Sequence, residues 1–364
     1  MRAAVIYAAK KPLVVEELTL EDPRRHEVRV RLRAAGVCHS DYHVVDGSWH
    51  GKDFPLPMVL GHEAAGIVEA IGADVSLVQP GDHVILAFTV SCGRCRYCVN
   101  GEANLCNGLD SPVGTMPDGT RRVRKGPQEI NIFGRMGGFA EEVVVHESQA
   151  IRMRPEMPFD RAALIGCATM TGVGAVLNTA KVEPGATVAV FGTGGVGLSV
   201  IQGAALVNAA TIVAVDLLDH KLELARVMGA THTINSGKAD PIQTIREITE
   251  GGADYAFDAV GLPTVSRQAY DATRRGGTTL IVGMAPTGAE ITLPGTVAGD
   301  AKTVKGCFYG STRPSTDFPR LVDLYLQGRL KLDELVTRQY ALDEINDAFA
   351  ALERGDNARG VIVF

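Results

Sequence analysis

The spacing of hydrophobic positions predicts a β-rich region in the first 150 residues. Short runs there alternate apolar and polar side chains, the period of a half-buried β-strand, and glycine- and proline-rich turns separate them. Strands are predicted at 28–33, 65–71, 83–87 and 140–145.

Hydrophobic periodicity changes near residue 170. Apolar runs of strand length then alternate with helical stretches, such as 196–206 and 221–228, in the order of βαβ units. This order predicts an α/β region with a parallel, doubly wound sheet. Three further elements follow towards the C-terminus, and they could return to the first domain. The predicted strands of the sheet are 186–191, 211–215, 253–259 and 278–283, and the late elements are two helices at 318–327 and 343–354 and a strand at 361–364.

Length and charge limit the possible functions. A chain of 364 residues exceeds what one hydrophobic core usually organises, which predicts two domains. The net charge of -6 provides no basic surplus for phosphates, which argues against nucleic-acid binding, and the basic cluster at 121–125 is interpreted as a solvated loop. No signal peptide is recognisable and no run reaches the roughly 20 apolar residues of a membrane span. A cytoplasmic protein without membrane contact is therefore expected.

A glycine-rich sequence, Gly192-Thr-Gly194-Gly195-Val-Gly197, joins the first predicted strand of the sheet to a helix. Gly192 permits a tight turn, Gly194 lets the backbone approach a pyrophosphate, and Gly197 lets the helix pack closely on the strand. The next strand ends at Asp216, where a carboxylate can bind adenosine ribose hydroxyls and would repel a 2′-phosphate. This context predicts an NAD site and disfavours the alternative, an ordinary glycine turn.

Four cysteines lie close together in the sequence. In a reducing compartment, clustered cysteines indicate metal binding rather than disulfides. Four thiolates at this spacing can close a tetrahedral zinc shell, which predicts a structural zinc, and an iron–sulfur cluster is the chemical alternative. The four residues are Cys92, Cys95, Cys98 and Cys106.

Three further candidate ligands, Cys38, His62 and Cys167, are dispersed along the chain. Two thiolates and one imidazole leave zinc an open fourth position for a substrate oxygen. Spacing alone does not join these residues, because isolated cysteines are more often inert core residues.

At these residues the sequence resembles the zinc-containing alcohol dehydrogenases of the medium-chain dehydrogenase/reductase superfamily, and most closely their liver-type and formaldehyde-dehydrogenase-like branch. The resemblance implies an enzyme that oxidises a primary alcohol, aliphatic or aromatic, to the aldehyde with NAD and two zinc ions per chain. It covers nearly the whole chain, through the ordered motifs GVCHSD, GHEAAGIVEAIG, GDHVI, the four-cysteine lobe, IGCATMTG, GTGGVG, VAVD, FDAVG and ARGVIVF.

The resemblance also implies the metal ligands. Cys38, His62 and Cys167 would hold the catalytic zinc. Asp41 corresponds to the acid that orients the histidine ligand, and Glu63 to a nearby carboxylate that can approach the metal.

Proton transfer and the remaining contacts follow from the same resemblance. Ser40 would accept the proton of the alcohol, and His43 would pass it to solvent by way of the nicotinamide ribose. Without the resemblance this pair would be interpreted as a polar turn. The other implied contacts are with the cofactor and the substrate. Thr171 and Val196 would contact the nicotinamide, Lys221 the adenosine ribose, and His39 and Arg359 the pyrophosphate, and Gly195 and the other motif glycines would also bind the cofactor. Phe88 and Met284 would line the substrate pocket.

The implied fold combines a GroES-like β-rich catalytic domain with a doubly wound Rossmann NAD-binding domain. The first comprises residues 1–168 and 309–364, with the structural zinc lobe at 92–106, and the second comprises residues 169–308. Substrate would react in the cleft between them. The segment 107–137 is as long as in the dimeric liver-type enzymes, so a homodimer is expected.

Three alternatives remain. The S-(hydroxymethyl)glutathione (formaldehyde) dehydrogenases of this branch usually carry tyrosine at the position of His43 and arginine in the loop after the lobe. This sequence has His43 and no basic residue at 108–114, which favours ordinary alcohols. No motif distinguishes a nicotinoprotein with permanently bound NAD. A zinc-stabilised NAD(H)-binding protein without catalysis is disfavoured because the ligand set and the proton path are complete.

Overall fold

The computed structural model describes residues 1–50 and 54–364. The described residues form short strands, numbered here in chain order: β1 (Arg2–Ile6), β2 (Val14–Glu17), β3 (Thr19–Leu20), β4 (Glu27–Gly36), β5 (Met58–Val59), β6 (Ala64–Ile71), β7 (His83–Leu86), β8 (Val123–Lys125), β9 (Gln128–Ile132), β10 (Glu142–His146), β11 (Ala150–Arg152), β12 (Thr187–Phe191), β13 (Thr211–Asp216), β14 (His232–Asn235), β15 (Ala253–Asp258), β16 (Thr273–Ile281), β17 (Thr303–Gly306), β18 (Val336–Tyr340) and β19 (Arg359–Val363).

The α-helices are numbered in the same way. They are α1 (His39–Val45), α2 (Arg96–Val99), α3 (Phe159–Leu164), α4 (Met170–Gly174), α5 (Gly195–Leu206), α6 (Asp219–Met228), α7 (Pro241–Ile248), α8 (Pro263–Ala272), α9 (Val297–Asp300), α10 (Pro314–Leu326) and α11 (Ile345–Arg354).

The chain divides into two compact units. The first unit comprises Met1–Cys167 and Arg313–Phe364, and the second comprises Ala168–Thr312. The boundaries expected from the sequence differ from these by one residue at the first crossing and by four at the second.

The first unit is rich in β-structure, as predicted. One sheet has the order β2-β1-β5-β9-β8-β3, and a second has the order β11-β7-β6-β4-β19-β18, with β10 also paired to β4. The long strand β4 organises the second sheet: Val28, Val30 and Leu32 are buried, whereas Arg31 and Arg33 are exposed. This alternation is the period-two pattern that predicted the strand.

The second unit contains one parallel sheet of six strands in the order β14-β13-β12-β15-β16-β17. The order reverses between β12 and β15, and ligands of doubly wound sheets bind at the carboxyl ends of strands at this point. The predicted α/β class, with a GroES-like domain and a Rossmann domain, is confirmed.

The basic cluster at 121–125 is not the solvated loop that the sequence suggested. It leads into strand β8, and Arg122 is 1% exposed. Its guanidinium donates two hydrogen bonds to Glu27, of 2.9 and 2.6 Å, and a third to Asp118, of 2.6 Å. The other cations of the cluster also pair with carboxylates: Arg121 with Glu129, Arg124 with Glu21 and Glu129, and Lys125 with Glu16.

Replacing Arg122 should destabilise the first unit. Arg122→Met leaves the buried carboxylate of Glu27 without its cation, and breaking a buried ion pair costs about 3 kcal/mol of unfolding free energy. Lys125→Met removes an exposed pair and should change stability by less than about 0.5 kcal/mol. Chemical denaturation of both variants measures the difference, and equal losses would show that burial of the Arg122 pair has no special role.

One helical stretch has the length and composition of a membrane span, although the sequence analysis expected no such segment. Phe159–Ala180 forms 22 continuous helical residues with a mean hydropathy of 1.4 in its most apolar window, so by length and composition it could cross a membrane. However, 89% of that window is buried inside the protein, as in a core helix.

Candidate active site

Four metal-binding side chains meet in the first unit. Ligand atoms of Cys38, His62, Glu63 and Cys167 all lie within 4.8 Å of one another, and all four residues are buried. Cys38 follows β4, His62 and Glu63 precede β6, and Cys167 lies in a π-helical turn after α3. The sequence motifs therefore converge on one cluster, which we call the buried cluster.

Backbone pairing explains this convergence. The N–H of Gly36, at the end of β4, donates to the carbonyl of Glu63 at 2.8 Å, which holds the segments of Cys38 and His62 together. Gly61 has a φ of +95°, and a Cβ there would lie 2.5 Å from the backbone nitrogen of Phe139. Only glycine fits this position, so the GHE motif is required for the chain to turn at His62.

The imidazole of His62 is oriented by Asp41. Nδ1 of His62 lies 3.1 Å from Oδ2 of Asp41, and the other carboxylate oxygen accepts the N–H of Gly61 at 2.8 Å. Burial lowers the pKa of His62, but Asp41 and Cys38 outweigh burial and raise it well above its ordinary value. Burial also raises the pKa of Asp41. Among the described residues, Nε2 of His62 has no hydrogen-bond partner although it is buried. A buried, unpartnered imidazole nitrogen facing two thiols fits a metal ligand.

The two thiols of the buried cluster have pKa values shifted in opposite directions. A hydrogen bond from Cys167 lowers the pKa of Cys38 well below its ordinary value, and the same bond raises the pKa of Cys167. Two adjacent buried thiolates repel each other unless a cation lies between them. The donor set therefore fits a divalent, thiophilic ion such as zinc.

Glu63 is paired with Arg359, a contact that the sequence did not predict. The guanidinium of Arg359, at the start of β19, donates to a carboxylate oxygen of Glu63, and both side chains are buried. Burial raises the pKa of Glu63 to about 7, although Arg359 opposes this shift. Arg359 is thus held beside the buried cluster, and its expected contact with the cofactor pyrophosphate stays a prediction.

The four clustered cysteines form a second candidate metal centre. Their sulfur atoms lie within 4.8 Å of one another, and all four residues are half-buried. The N–H groups of Cys92 and Cys95 point at sulfurs of the set, at 3.3 Å to Cys106 and 3.2 Å to Cys92. Backbone donors of this kind stabilise thiolates, so the lobe fits a closed four-thiolate zinc site.

Ser40 and His43 lie on α1, three residues apart and so on one face of the helix. The ring of His43 packs against Trp49, with centroids 4.9 Å apart. Its Nδ1 is buried without a hydrogen-bond partner among the described residues, and burial lowers the pKa of His43. This shift favours the neutral imidazole, which can accept a proton.

Aromatic side chains surround these groups. Trp49 stacks on Phe54 at 5.2 Å, and Phe54 lies 6.3 Å from Phe133. Phe133 and Phe88 both meet the His62 ring edge to face, at 5.3 and 5.6 Å. We call Trp49, Phe54, Phe88 and Phe133 the aromatic wall. The sequence predicted only Phe88, because no spacing rule connects the other three to the buried cluster.

The glycine motif of the second unit joins β12 to α5, as predicted. Gly192 has a φ of +89°, and a Cβ at Gly197 would collide with the carbonyl oxygen of Gly192. A Cβ at Gly194 would meet no atom within 4 Å, so open space lies above this exposed glycine at the helix N-terminus. An open helix N-terminus after a glycine turn can bind the pyrophosphate of a dinucleotide.

Sequence comparisons show the family. Residues 24–155 match the alcohol dehydrogenase GroES-like domain, and residues 195–327 match the zinc-binding dehydrogenase domain. An S-(hydroxymethyl)glutathione dehydrogenase of Paracoccus denitrificans is 40% identical over 100% of this chain and 99% of its own length. The chain belongs to the zinc-binding alcohol dehydrogenases. It is therefore an enzyme that depends on zinc and NAD.

Solved structures of other dehydrogenases share the fold over the whole chain. An alcohol dehydrogenase zinc-binding domain protein from Burkholderia ambifaria superimposes with a TM-score of 0.94 at 38% identity, covering 100% of this chain and 98% of its own. A benzyl alcohol dehydrogenase from Acinetobacter calcoaceticus gives a TM-score of 0.93 at 34% identity, covering 100% and 99%.

In this dehydrogenase the Asp216 carboxylate also accepts hydrogen bonds from its own loop, a role that the sequence did not suggest. One oxygen accepts the N–H and the hydroxyl of Thr193, both at 2.8 Å, and the other accepts the N–H groups of Leu217 and Leu218 at 2.8 and 3.1 Å. The carboxylate thus anchors the glycine-rich loop as well as marking the strand end where a ribose would bind.

Replacing this charge should relax the preference for NAD. Asp216→Asn keeps an acceptor for the loop but removes the charge that repels a 2′-phosphate, so kcat/KM with NADP relative to NAD should rise about tenfold. Asp219→Asn, an exposed carboxylate on α6, is the matched control and should leave the ratio unchanged. A wild-type enzyme that is faster with NADP would contradict the assignment of Asp216.

The other expected contact residues occupy separate elements, and their roles stay predictions. His39 is exposed at the start of α1, and its ring lies 6.3 Å from Tyr42. In the second unit, Thr171 is buried in α4 and Met284 follows β16 with half of its surface exposed. Val196 and Lys221 lie, partly buried, in the first turns of α5 and α6.

The loop at 108–114 has a cationic neighbour that its own sequence lacks. Arg135 donates hydrogen bonds to the hydroxyl and the carbonyl of Ser111. The two residues are 24 positions apart, which is why the sequence did not reveal the contact.

Proposed function

We propose that this enzyme oxidises primary alcohols to aldehydes with NAD, and that aromatic primary alcohols are its best substrates. The observation that carries the proposal is the aromatic wall, which meets the ring of His62 through Phe88 and Phe133 and extends through Trp49 to His43. Aromatic rings pack favourably edge to face or offset. The similarity to a benzyl alcohol dehydrogenase supports the same substrate class.

We assign the catalytic ligands to Cys38, His62 and Cys167. When bound there, zinc supplies a Lewis acid that lowers the pKa of the alcohol and polarises the aldehyde carbonyl. Asp41 fixes the imidazole by its 3.1 Å approach to Nδ1, so that Nε2 faces the thiols. Two thiolates and one imidazole leave a coordination position for the substrate oxygen.

The proton of the alcohol leaves through Ser40 and His43 in this proposal. Ser40 takes the proton from the substrate oxygen, and the neutral imidazole of His43 takes it onward to solvent. The Trp49 ring, 4.9 Å from the imidazole, restricts its orientation. The aromatic wall keeps water away from the reacting carbon.

The second candidate is the oxidation of S-(hydroxymethyl)glutathione. The name of the Paracoccus denitrificans relative favours it, and so does the Arg135 guanidinium beside Ser111. His43 and the absence of a basic residue within 108–114 favour ordinary alcohols. The two candidates share the chemistry at the metal and differ only in the distant part of the substrate.

We also propose that the enzyme is a cytoplasmic homodimer. Its half-exposed cysteine lobe requires a reducing compartment to stay free of disulfides. The edge strand β17 is exposed along all four residues, and an open edge of this kind can pair with a second copy. Size-exclusion chromatography with light scattering measures the subunit number.

Initial rates decide between the candidates. We expect kcat/KM with NAD to be highest for benzyl alcohol, lower for hexanol and ethanol, and lowest for S-(hydroxymethyl)glutathione. A higher value for the glutathione adduct would favour the second candidate. The absence of turnover with every one of these substrates would contradict both candidates. NAD released on denaturing the purified enzyme would identify a nicotinoprotein.

A further inference from the structure

Two asparagine–glycine pairs occur in the sequence, and both lie in the four-cysteine lobe or directly after it. They are Asn100-Gly101 and Asn107-Gly108, and both asparagine residues are exposed to solvent. Asparagine before glycine is especially prone to spontaneous deamidation, because glycine has no side chain to hinder attack of its backbone nitrogen on the asparagine amide. The lobe is therefore the part of the chain where this covalent modification is expected.

The backbone of the second pair is held by the sulfur atoms of the lobe. The N–H groups of Asn107 and Gly108 donate hydrogen bonds to the sulfurs of Cys95 and Cys106. A Cβ on Gly108 would lie 2.4 Å from Sγ of Cys92 and 3.3 Å from Cβ of Cys95, so the main chain there is packed tightly against the cysteines. The nitrogen that would attack the Asn107 amide is thus fixed as a donor to sulfur.

The first pair has the same sequence but a looser setting. The N–H of Gly101 donates to the carbonyl oxygen of Cys98 at 3.1 Å. A Cβ on Gly101 would meet no atom within 4 Å, so open space surrounds this glycine. A hydrogen bond to a neutral carbonyl is weaker than one to a thiolate. The structure therefore distinguishes two pairs that the sequence makes equal.

We propose that Asn107 is a deamidation site that the metal-loaded lobe protects, and that its conversion prevents the lobe from binding metal again. A zinc ion keeps the four sulfurs ionised and in place, which strengthens the hydrogen bonds from the two N–H groups. Binding of a structural metal also stabilises the folded lobe, so the metal-free lobe opens more often. This proposal goes beyond the proposed function and does not depend on the substrate.

The reaction needs only water and involves no oxidation or reduction. The Gly108 nitrogen loses its proton to water and bonds to Cγ of Asn107, and the side-chain nitrogen leaves as ammonia. Water then opens the resulting succinimide to aspartate or isoaspartate. The succinimide has no N–H for Cys106, and isoaspartate adds a methylene group to the main chain beside Cys92, where a single added carbon has no space. Both products are therefore incompatible with the closed lobe at Gly108.

Zinc-loaded and zinc-free samples of the wild type, incubated side by side under reducing conditions, test the protection. Peptide mass mapping follows the mass increase that accompanies conversion of an amide to an acid, and methyltransferase labelling identifies isoaspartate. Asn107 should convert at least about tenfold more slowly in the zinc-loaded protein, because a charge-assisted hydrogen bond must open first. In that sample Asn100 should convert faster than Asn107. Equal rates for Asn107 with and without zinc would overturn the proposal.

Asn107→Gln separates deamidation from other damage, because a glutamine side chain closes to the larger ring much more slowly. After prolonged zinc-free incubation and return of zinc, the wild type should recover only about one zinc per chain, whereas Asn107→Gln should recover about two. Asn100→Gln is the matched control and should behave like the wild type. Recovery of two zinc ions by wild-type protein in which Asn107 has been converted, or an equal loss of zinc binding in Asn107→Gln, would contradict the proposal.

Discussion

Cys167→Ser is expected to leave a folded protein with about one zinc per chain and almost no turnover. Removing one of two thiolates from a three-ligand site abolishes tight zinc binding there, because serine does not ionise to become a ligand at neutral pH. The four-cysteine lobe is untouched and keeps its ion. The loss of activity should be at least about a thousandfold, since a Lewis acid supplies several kcal/mol of transition-state stabilisation.

Metal analysis with steady-state kinetics measures both effects in one preparation. Cys307→Ser is the matched control, because Cys307 is also buried but lies outside both metal clusters. It should retain two zinc ions and near wild-type rates. Two zinc ions in Cys167→Ser would remove Cys167 from the ligand set, and full activity with one zinc would show that the catalytic ion binds elsewhere.

Ser40→Ala is expected to lower alcohol oxidation about a hundredfold, and His43→Gln about tenfold, while both variants retain their zinc. In the proposed proton path, the hydroxyl of Ser40 acts on the reacting oxygen and has no substitute in a closed site. His43 acts at the outer end of that proposed path, where a small diffusible base such as imidazole can replace it. Added imidazole should therefore restore part of the rate of His43→Gln and none of the rate of Ser40→Ala.

The control for the proton path is His50→Gln. His50 is exposed, and its Nδ1 lies 3.1 Å from the carbonyl oxygen of Gly47, outside the proposed proton path, so this variant should keep the wild-type rate. Because burial lowers the pKa of His43, the neutral form of its imidazole is favoured near pH 7 and is lost as the pH falls through that lowered pKa. Wild-type rates for His43→Gln across pH 6 to 9, or loss of zinc together with activity, would contradict a role in proton transfer.

Local motifs predicted most of the fold. The GTGGVG sequence specifies its own turn, so Gly192 and Gly197 could be assigned from the sequence and hold the same positions in the structure. The buried cluster was predicted through the family resemblance rather than through spacing, since Cys38 and Cys167 are far apart in the chain.

Contacts between distant segments explain what the sequence did not predict. Arg122 was assigned to a solvated loop because its partner Glu27 is 95 residues away, and sequence charge alone cannot show that pairing. Arg359 and Glu63 are 296 residues apart and meet only because β19 pairs with β4. Trp49 and Phe133 similarly reach the site through tertiary packing.

We expect alcohol oxidation to depend on an ion held by Cys38, His62 and Cys167. Timed removal of zinc by a chelator tests this central expectation most directly. Zinc released per chain, benzyl alcohol oxidation with NAD and the circular dichroism spectrum are followed in the same sample. The ion with an exchangeable coordination position should leave first, so activity should reach zero when one zinc per chain has been released, with the fold unchanged. Activity that survives the loss of the first zinc, or that disappears only with the second, would contradict the account.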